Sequence, residues 1–129
     1  MKINLLVIAC CVLVLSICIS CSHFDHHGGN THVSISESED EYRMSAYFNE
    51  NKMNKIYQYM DERLGDRNNF SFANSKIDAT LTLDDRTTFY LKTSPGDIEI
   101  KFDKDRNSVE SYNRVKKMCE GIKNIIGKD

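Results

Sequence analysis

The chain has 129 residues and a formal charge of −2 at pH 7, with acids and bases interspersed along it. That length holds one domain with a thin, two-layer core. The absence of a basic stripe excludes the electrostatic footprint of a nucleic-acid binder, and the ordinary share of Tyr and Phe excludes a low-complexity chain.

Met1-Lys2 supplies a minimal positive start, and Leu5 to Ile19 is an apolar run interrupted only by Ser16. Such a run matches the apolar region of a signal peptide and is short of the about 20 residues that span a bilayer as a helix. No cluster of Lys or Arg follows it to act as a stop-transfer flank. The run closes on Cys18-Ile19-Ser20-Cys21, with a small residue directly before a cysteine. In this, residues 1–20 resemble the signal peptide of bacterial lipoproteins. Cys18 stands where that family usually has Leu, and Ser20 where it more often has Gly or Ala. The resemblance implies cleavage before Cys21 and acyl chains, palmitate among them, on its thiol and new amino group. No other cofactor is expected. Several acyl chains, at about 0.8 kcal/mol per buried methylene, hold a soluble domain on a membrane. The address implied is the cell envelope, and Ser22 after the cysteine favours the outer membrane. A periplasmic or secreted protein is the alternative, because Cys18 and Ser20 also suit a peptidase that cuts after small-x-small. A retained signal anchor is a third reading. Cleavage would remove Lys2 and no acid, leaving −3.

Residues 21–31 read as a flexible tether, broken at Gly28-Gly29. All four histidines, His23, His26, His27 and His32, lie in it or at its end, with Asp25 among them. Neutral imidazoles bind zinc, copper and nickel, so these are the candidate metal ligands. Metal sites usually hold their ligands on rigid elements, and a hydrophilic spacer is the simpler reading of this composition.

The folded part is expected over 32–129. Val33 and Ile35 alternate with serines, and Tyr42, Met44, Ala46 and Phe48 alternate with polar residues after an acidic turn, which predicts two paired strands. Met53, Ile56, Tyr57, Met60 and Leu64 form one helical stripe, capped by Asn49 or Asn51 and ended by Gly65. Phe70 and Phe72 are expected to tuck back from a polar loop. Ile77, Ala79, Leu81 and Leu83 share one parity. Phe89 and Leu91 face inward from the next strand, and Ile98, Ile100 and Phe102 from the last. Ser94-Pro95-Gly96-Asp97 is a strong turn signal, since Pro presets the first central residue and Gly accepts a positive φ at the second. A final helix is expected from about Ser108 to Ile126, with Tyr112, Val115, Cys119, Ile122 and Ile126 as its stripe. Asn107 with Glu110 resembles a capping box, and Gly121 points to a close helix-to-sheet contact. The order is ββαβββα. It predicts an α+β fold: a two-layer antiparallel sheet of about five strands with both helices on one face.

Asp103-x-Asp105-x-Asn107 has the spacing of the start of a calcium loop. Ser108 replaces the sharp-turn Gly and Arg114 the bidentate Glu, so a turn that satisfies free helix amides is the plainer reading. Cys119 is the only cysteine of the folded part and sits in an apolar stripe, as a small buried hydrophobe does. Any bridge would therefore be Cys21–Cys119 or intermolecular. Asp61-Glu62 and Asp84-Asp85 read as solvated pairs. No phosphate loop, nucleophile elbow or metalloprotease motif occurs, no histidine follows residue 32, and no catalytic residues are assigned. The sequence points to a non-catalytic envelope domain that binds a protein partner or supports structure. Thr88, Tyr90 and Tyr47 could line a shallow contact surface. The alternative is a metal-handling protein using the histidine-rich tether.

Overall fold

Alternation decides the sheet. A computed structural model of the chain describes residues 31–64, 72 and 76–128. The strands are β1 (His32–Glu37), β2 (Glu41–Tyr47), β3 (Asp78–Thr82), β4 (Thr88–Ser94) and β5 (Asp97–Asp103). A 3-10 turn at Glu50–Lys52 leads into α1 (Met53–Leu64), and α2 (Val109–Ile126) follows β5. The expected fold is what forms: a five-stranded antiparallel sheet, order β1-β2-β5-β4-β3, with both helices on one face. The leader, Cys21, the tether up to Asn30, Gly65 and Phe70 lie outside the described residues.

The last strand to be made occupies the centre. β5 pairs β2 on one side and β4 on the other. Its inward residues Ile98, Ile100 and Phe102 stand opposite Ala46, Met44 and Tyr42, and all six are buried. The α1 stripe is buried as predicted. The α2 stripe is broader than predicted: Ser111 and Met118 join Val115, Cys119, Ile122 and Ile126 in the interior, while Tyr112 is half-buried. The helix touches α1 as well as the sheet, so its apolar arc must serve two neighbours.

Edges depart from strict alternation. Ile77 and Leu83 are buried, but Ala79 is exposed and Leu81 half-buried. Val33 and Ile35 on β1 are also only half-buried. Five strands span about 19 Å from first to last. Two helices packed 8–10 Å apart cover the middle strands and leave both margins half open.

Local devices fix the turns. Asn49 caps the 3-10 turn, its Oδ1 accepting from the Asn51 amide at 3.0 Å. The α2 cap differs from expectation: Ser108, with extended backbone, accepts from the Ser111 amide at 3.1 Å. Asn107 is occupied elsewhere, as described below. Gly121 also corrects its reading. A Cβ there would meet the Tyr59 hydroxyl of α1 at 2.0 Å, so the close contact is helix to helix. Among the described residues, no buried side-chain polar atom lacks a hydrogen-bond partner. Inward-facing Thr93 illustrates this, its Oγ1 accepting from the Tyr57 hydroxyl and the Ile77 amide, both at 3.1 Å.

Gly96 has φ +76°, as the Pro-Gly turn requires. Its carbonyl accepts from the Phe48 amide at 2.9 Å, and a Cβ would sit 2.7 Å from the Phe48 carbonyl oxygen. Replacement by Ala therefore adds left-handed strain to a backbone clash. Gly96→Ala is expected to cost about 2 kcal/mol in urea unfolding. A loss within about 0.5 kcal/mol would show that the turn relaxes freely.

Candidate interaction surface

With both helices on one side, no described element covers the opposite sheet face, and the strand registers set out its side chains in rows. One row runs His32, Tyr47, Asp97, Ser94. The next runs Ser34, Ser45, Glu99, Lys92, Asp78, and the third Ser36, Arg43, Lys101, Tyr90, Thr80. Polar residues occupy these positions because their period places them away from the core.

The middle of the face is basic and aromatic. Arg43 and Lys101 stand directly opposite each other, an arrangement that repels. Each is offset along its own strand: Arg43 Nη2 lies 2.9 Å from Glu41, and Lys101 Nζ 3.1 Å from Glu99. The Lys101 ammonium also sits 5.1 Å over the Tyr90 ring. The Tyr90 hydroxyl donates to Asp78 at 2.8 Å, which raises its pKa because ionisation would lose that bond beside a carboxylate. Among the described residues, Tyr47 is the exposed aromatic, at 56%. The predicted trio of Tyr47, Thr88 and Tyr90 shares this face but does not form one cluster, for Tyr47 lies two strands and two rows from Tyr90. This face can hydrogen-bond and ion-pair with a partner, and its aromatic rings can stack.

A charged knot ties the sheet edge to the helical layer. Glu37, at the end of β1, accepts from Lys104 at 2.8 Å, from Lys116 at 3.3 Å and from the Tyr112 hydroxyl. Lys116 also donates to that hydroxyl at 2.8 Å. Tyr112 in turn packs edge-on against Tyr42, with ring centroids 6.0 Å apart. The bonds from Lys104 and Tyr112, more than the partial burial that opposes them, pull the Glu37 pKa down from 4.5 to about 2. A depressed carboxylate adds stability above its unfolded pKa and loses it as pH falls through the folded one. The window is therefore pH 4.5 down to 2. Glu37 is 37% exposed, so solvent screening leaves roughly 1 kcal/mol of the nominal effect. Between pH 5 and pH 2 the wild type is expected to lose about 1 kcal/mol more than Glu37→Gln in parallel urea titrations. Parallel losses would remove the knot from the stability account. No local spacing announces it, since Glu37 lies 67 to 79 residues from the three side chains that donate to it.

The remaining predicted site residues are placed as follows. Asp103 Oδ1 accepts from the amides of Asp105 and Arg106, at 2.9 and 3.2 Å. Asn107 turns away from this group. Its Oδ1 accepts from the Thr88 amide at 2.8 Å, and its Nδ2 donates to the carbonyls of Thr88 and Asp103, at 2.9 and 2.7 Å. The Asn side chain thus pairs like a piece of strand with the start of β4. His32 is exposed at the first position of β1, whereas His23, His26 and His27 lie outside the described residues. Among the described residues, no three His, Cys, Asp or Glu side chains are grouped to hold a metal ion. Cys119 is a free, buried thiol, pushed up to about 12 chiefly by burial and then by Glu120. Two carboxylates read as solvated have partners: Asp61 accepts from the Phe72 amide at 2.8 Å, and Asp85 pairs with Arg114. Phe72 is buried, as expected.

Two grooves flank the helices. One, of about 440 Å³, lies between α1 and α2 and is lined by Tyr59, Arg63, Arg114, Lys117, Glu120 and Gly121 among others. Its cations are partly engaged, Arg63 over the Tyr59 ring at 5.3 Å and Arg114 with Asp85. The other lies where β1 meets the C-terminal end of α2. Among the described residues, no helix is long and apolar enough to cross a membrane. Comparison with protein-family models, curated proteins and solved structures finds no match.

Proposed function

We propose that this chain is a small, non-catalytic envelope domain, held on a membrane by acylated Cys21, that presents its open sheet face to a protein partner. The observation carrying the binding part is the platform around Arg43, Lys101 and Tyr90, which neither helix covers. Among the described residues, Asp61 and Glu37 are engaged in hydrogen bonds that join separate segments of the fold, and the Cys119 thiol is buried in the core. The membrane part is supported by the leader and by the distance behind it. Ten residues separate Cys21 from β1, enough to stand the domain about 35 Å from its anchor when extended.

Replacing the acylated thiol tests the address. Cys21→Ser is expected to move the protein from the detergent-rich to the aqueous phase on phase separation, and to remove the acyl mass from its N-terminal peptide. Unchanged partitioning would dismiss the anchor. For the binding face, Arg43→Glu combined with Lys101→Glu is expected to abolish cross-linking from a photoreactive residue at Tyr90, at a cost of about 1 kcal/mol in stability because four carboxylates then crowd the centre of the face. Cross-links that survive the double reversal would place recognition elsewhere.

A further inference from the structure

We propose that the groove between α1 and α2 binds a phosphate monoester, with Arg63, Arg114 and Lys117 as its ligands. All three cations line one space of about 440 Å³, and Glu120 is the one carboxylate among its described lining residues. Asp85, outside that lining, pairs with Arg114. The groove stays positive with both acids counted, in a chain whose formal charge is −2. Helix period and one glycine build it. Arg114, Lys117 and Gly121 recur at i, i+3 and i+7 and share one side of α2, as Tyr59 and Arg63 share one side of α1 at i and i+4. Gly121 lets the two sides meet, because a Cβ there would lie 2.0 Å from the Tyr59 hydroxyl.

The donors are held in place and largely unspent. Arg63 lies over the Tyr59 ring, 5.3 Å from its centroid, a contact that orients the guanidinium without using its N–H groups. Arg114 is pinned by Asp85 on one arm and reaches the Arg63 carbonyl with the other at 3.4 Å. Lys117 is exposed, and among the described residues its ammonium takes part in no hydrogen bond or ion pair. A phosphate monoester brings three acceptor oxygens, one for each cation, and about −1.5 to −2 charges near pH 7. The Arg forks match that geometry, and a carboxylate has only two oxygens to share among three donors. The same group occurs on soluble esters and on lipid headgroups, which the test separates. The site rests on neither the open sheet face nor the acylation of Cys21.

The test titrates the full-length chain, in a neutral detergent at constant ionic strength, with glycerol phosphate while the amide resonances of Lys117 and Gly121 are followed. Saturable shifts are expected. Binding is expected to weaken about tenfold or more in Arg63→Gln with Lys117→Gln, which loses two charge-assisted donors at exposed positions. Lys76→Gln with Lys92→Gln removes the same charge from exposed positions outside the groove and is expected to bind as the wild type does. Dihexanoyl phosphatidic acid carries the same phosphate on a short-chain lipid. Binding it about tenfold tighter than glycerol phosphate would assign the site to a lipid headgroup, and comparable binding to a soluble ester. Shifts that never saturate would overturn the site. So would an equal loss in both charge variants, which would reduce the effect to net charge.

Discussion

Phe102→Ala is expected to remove about 4 kcal/mol of stability. Phe102 is fully buried on the central strand, opposite Tyr42 and with its ring centroid 6.2 Å from that of Tyr112. Truncation deletes the transfer energy of the ring and leaves a cavity walled by both layers, and neither can close it without breaking register with β2. A domain of this size has about 5–15 kcal/mol in all. The melting temperature should fall by roughly 20 °C. The urea midpoint should drop while the slope holds, because the surface exposed on unfolding hardly changes. Tyr47→Ala, on the open face, is the control and should stay within about 0.5 kcal/mol. A Phe102 loss below about 1 kcal/mol would mean that β5 is not the keystone described.

Asn107→Asp is expected to cost about 3 kcal/mol, although it changes one atom of the side chain. The Asn amide nitrogen donates to two carbonyls, those of Thr88 and Asp103, and its oxygen serves the Thr88 amide. A carboxylate keeps the last bond, loses both donors and turns a negative oxygen toward two carbonyls. The same substitution separates the two readings of the Asp103-x-Asp105-x-Asn107 spacing. In a calcium loop, an added carboxylate oxygen strengthens the site. The expected result is a lower melting temperature for the variant and no rise for either protein in about 1 mM calcium. A calcium-dependent gain in the variant would restore the ion reading.

The contrast between these two positions marks how much was legible beforehand. Phe102 was assigned to the core from parity alone, because every inward residue of β5 repeats with the period of the pleat. The α1 stripe and the Pro95-Gly96 turn were read for equally local reasons, a helical period and the φ demanded at one residue. Asn107, whose spacing to Glu110 resembles a capping box, is not the α2 cap; Ser108 is. Asn107 lies one residue too early, and the group that claims it is Thr88, 19 residues away. Gly121 was assigned to the sheet although its neighbour is Tyr59 on α1, because a glycine signals close approach without saying to what. The knot around Glu37 and the basic centre of the open face were invisible in the same way. Arg43 meets Lys101 only through the β2–β5 pairing.

What the sequence determined by itself was the kind and order of the strands and helices and the face that most of them bury, because periods, breakers and caps act over a few residues. What only the tertiary structure decided was that β5 fills the centre and that the margins stay half open. It also decided which polar side chains meet. Those outcomes depend on how the β3–β4–β5 meander docks beside β2, and contacts between segments far apart in the chain leave no local periodicity to read.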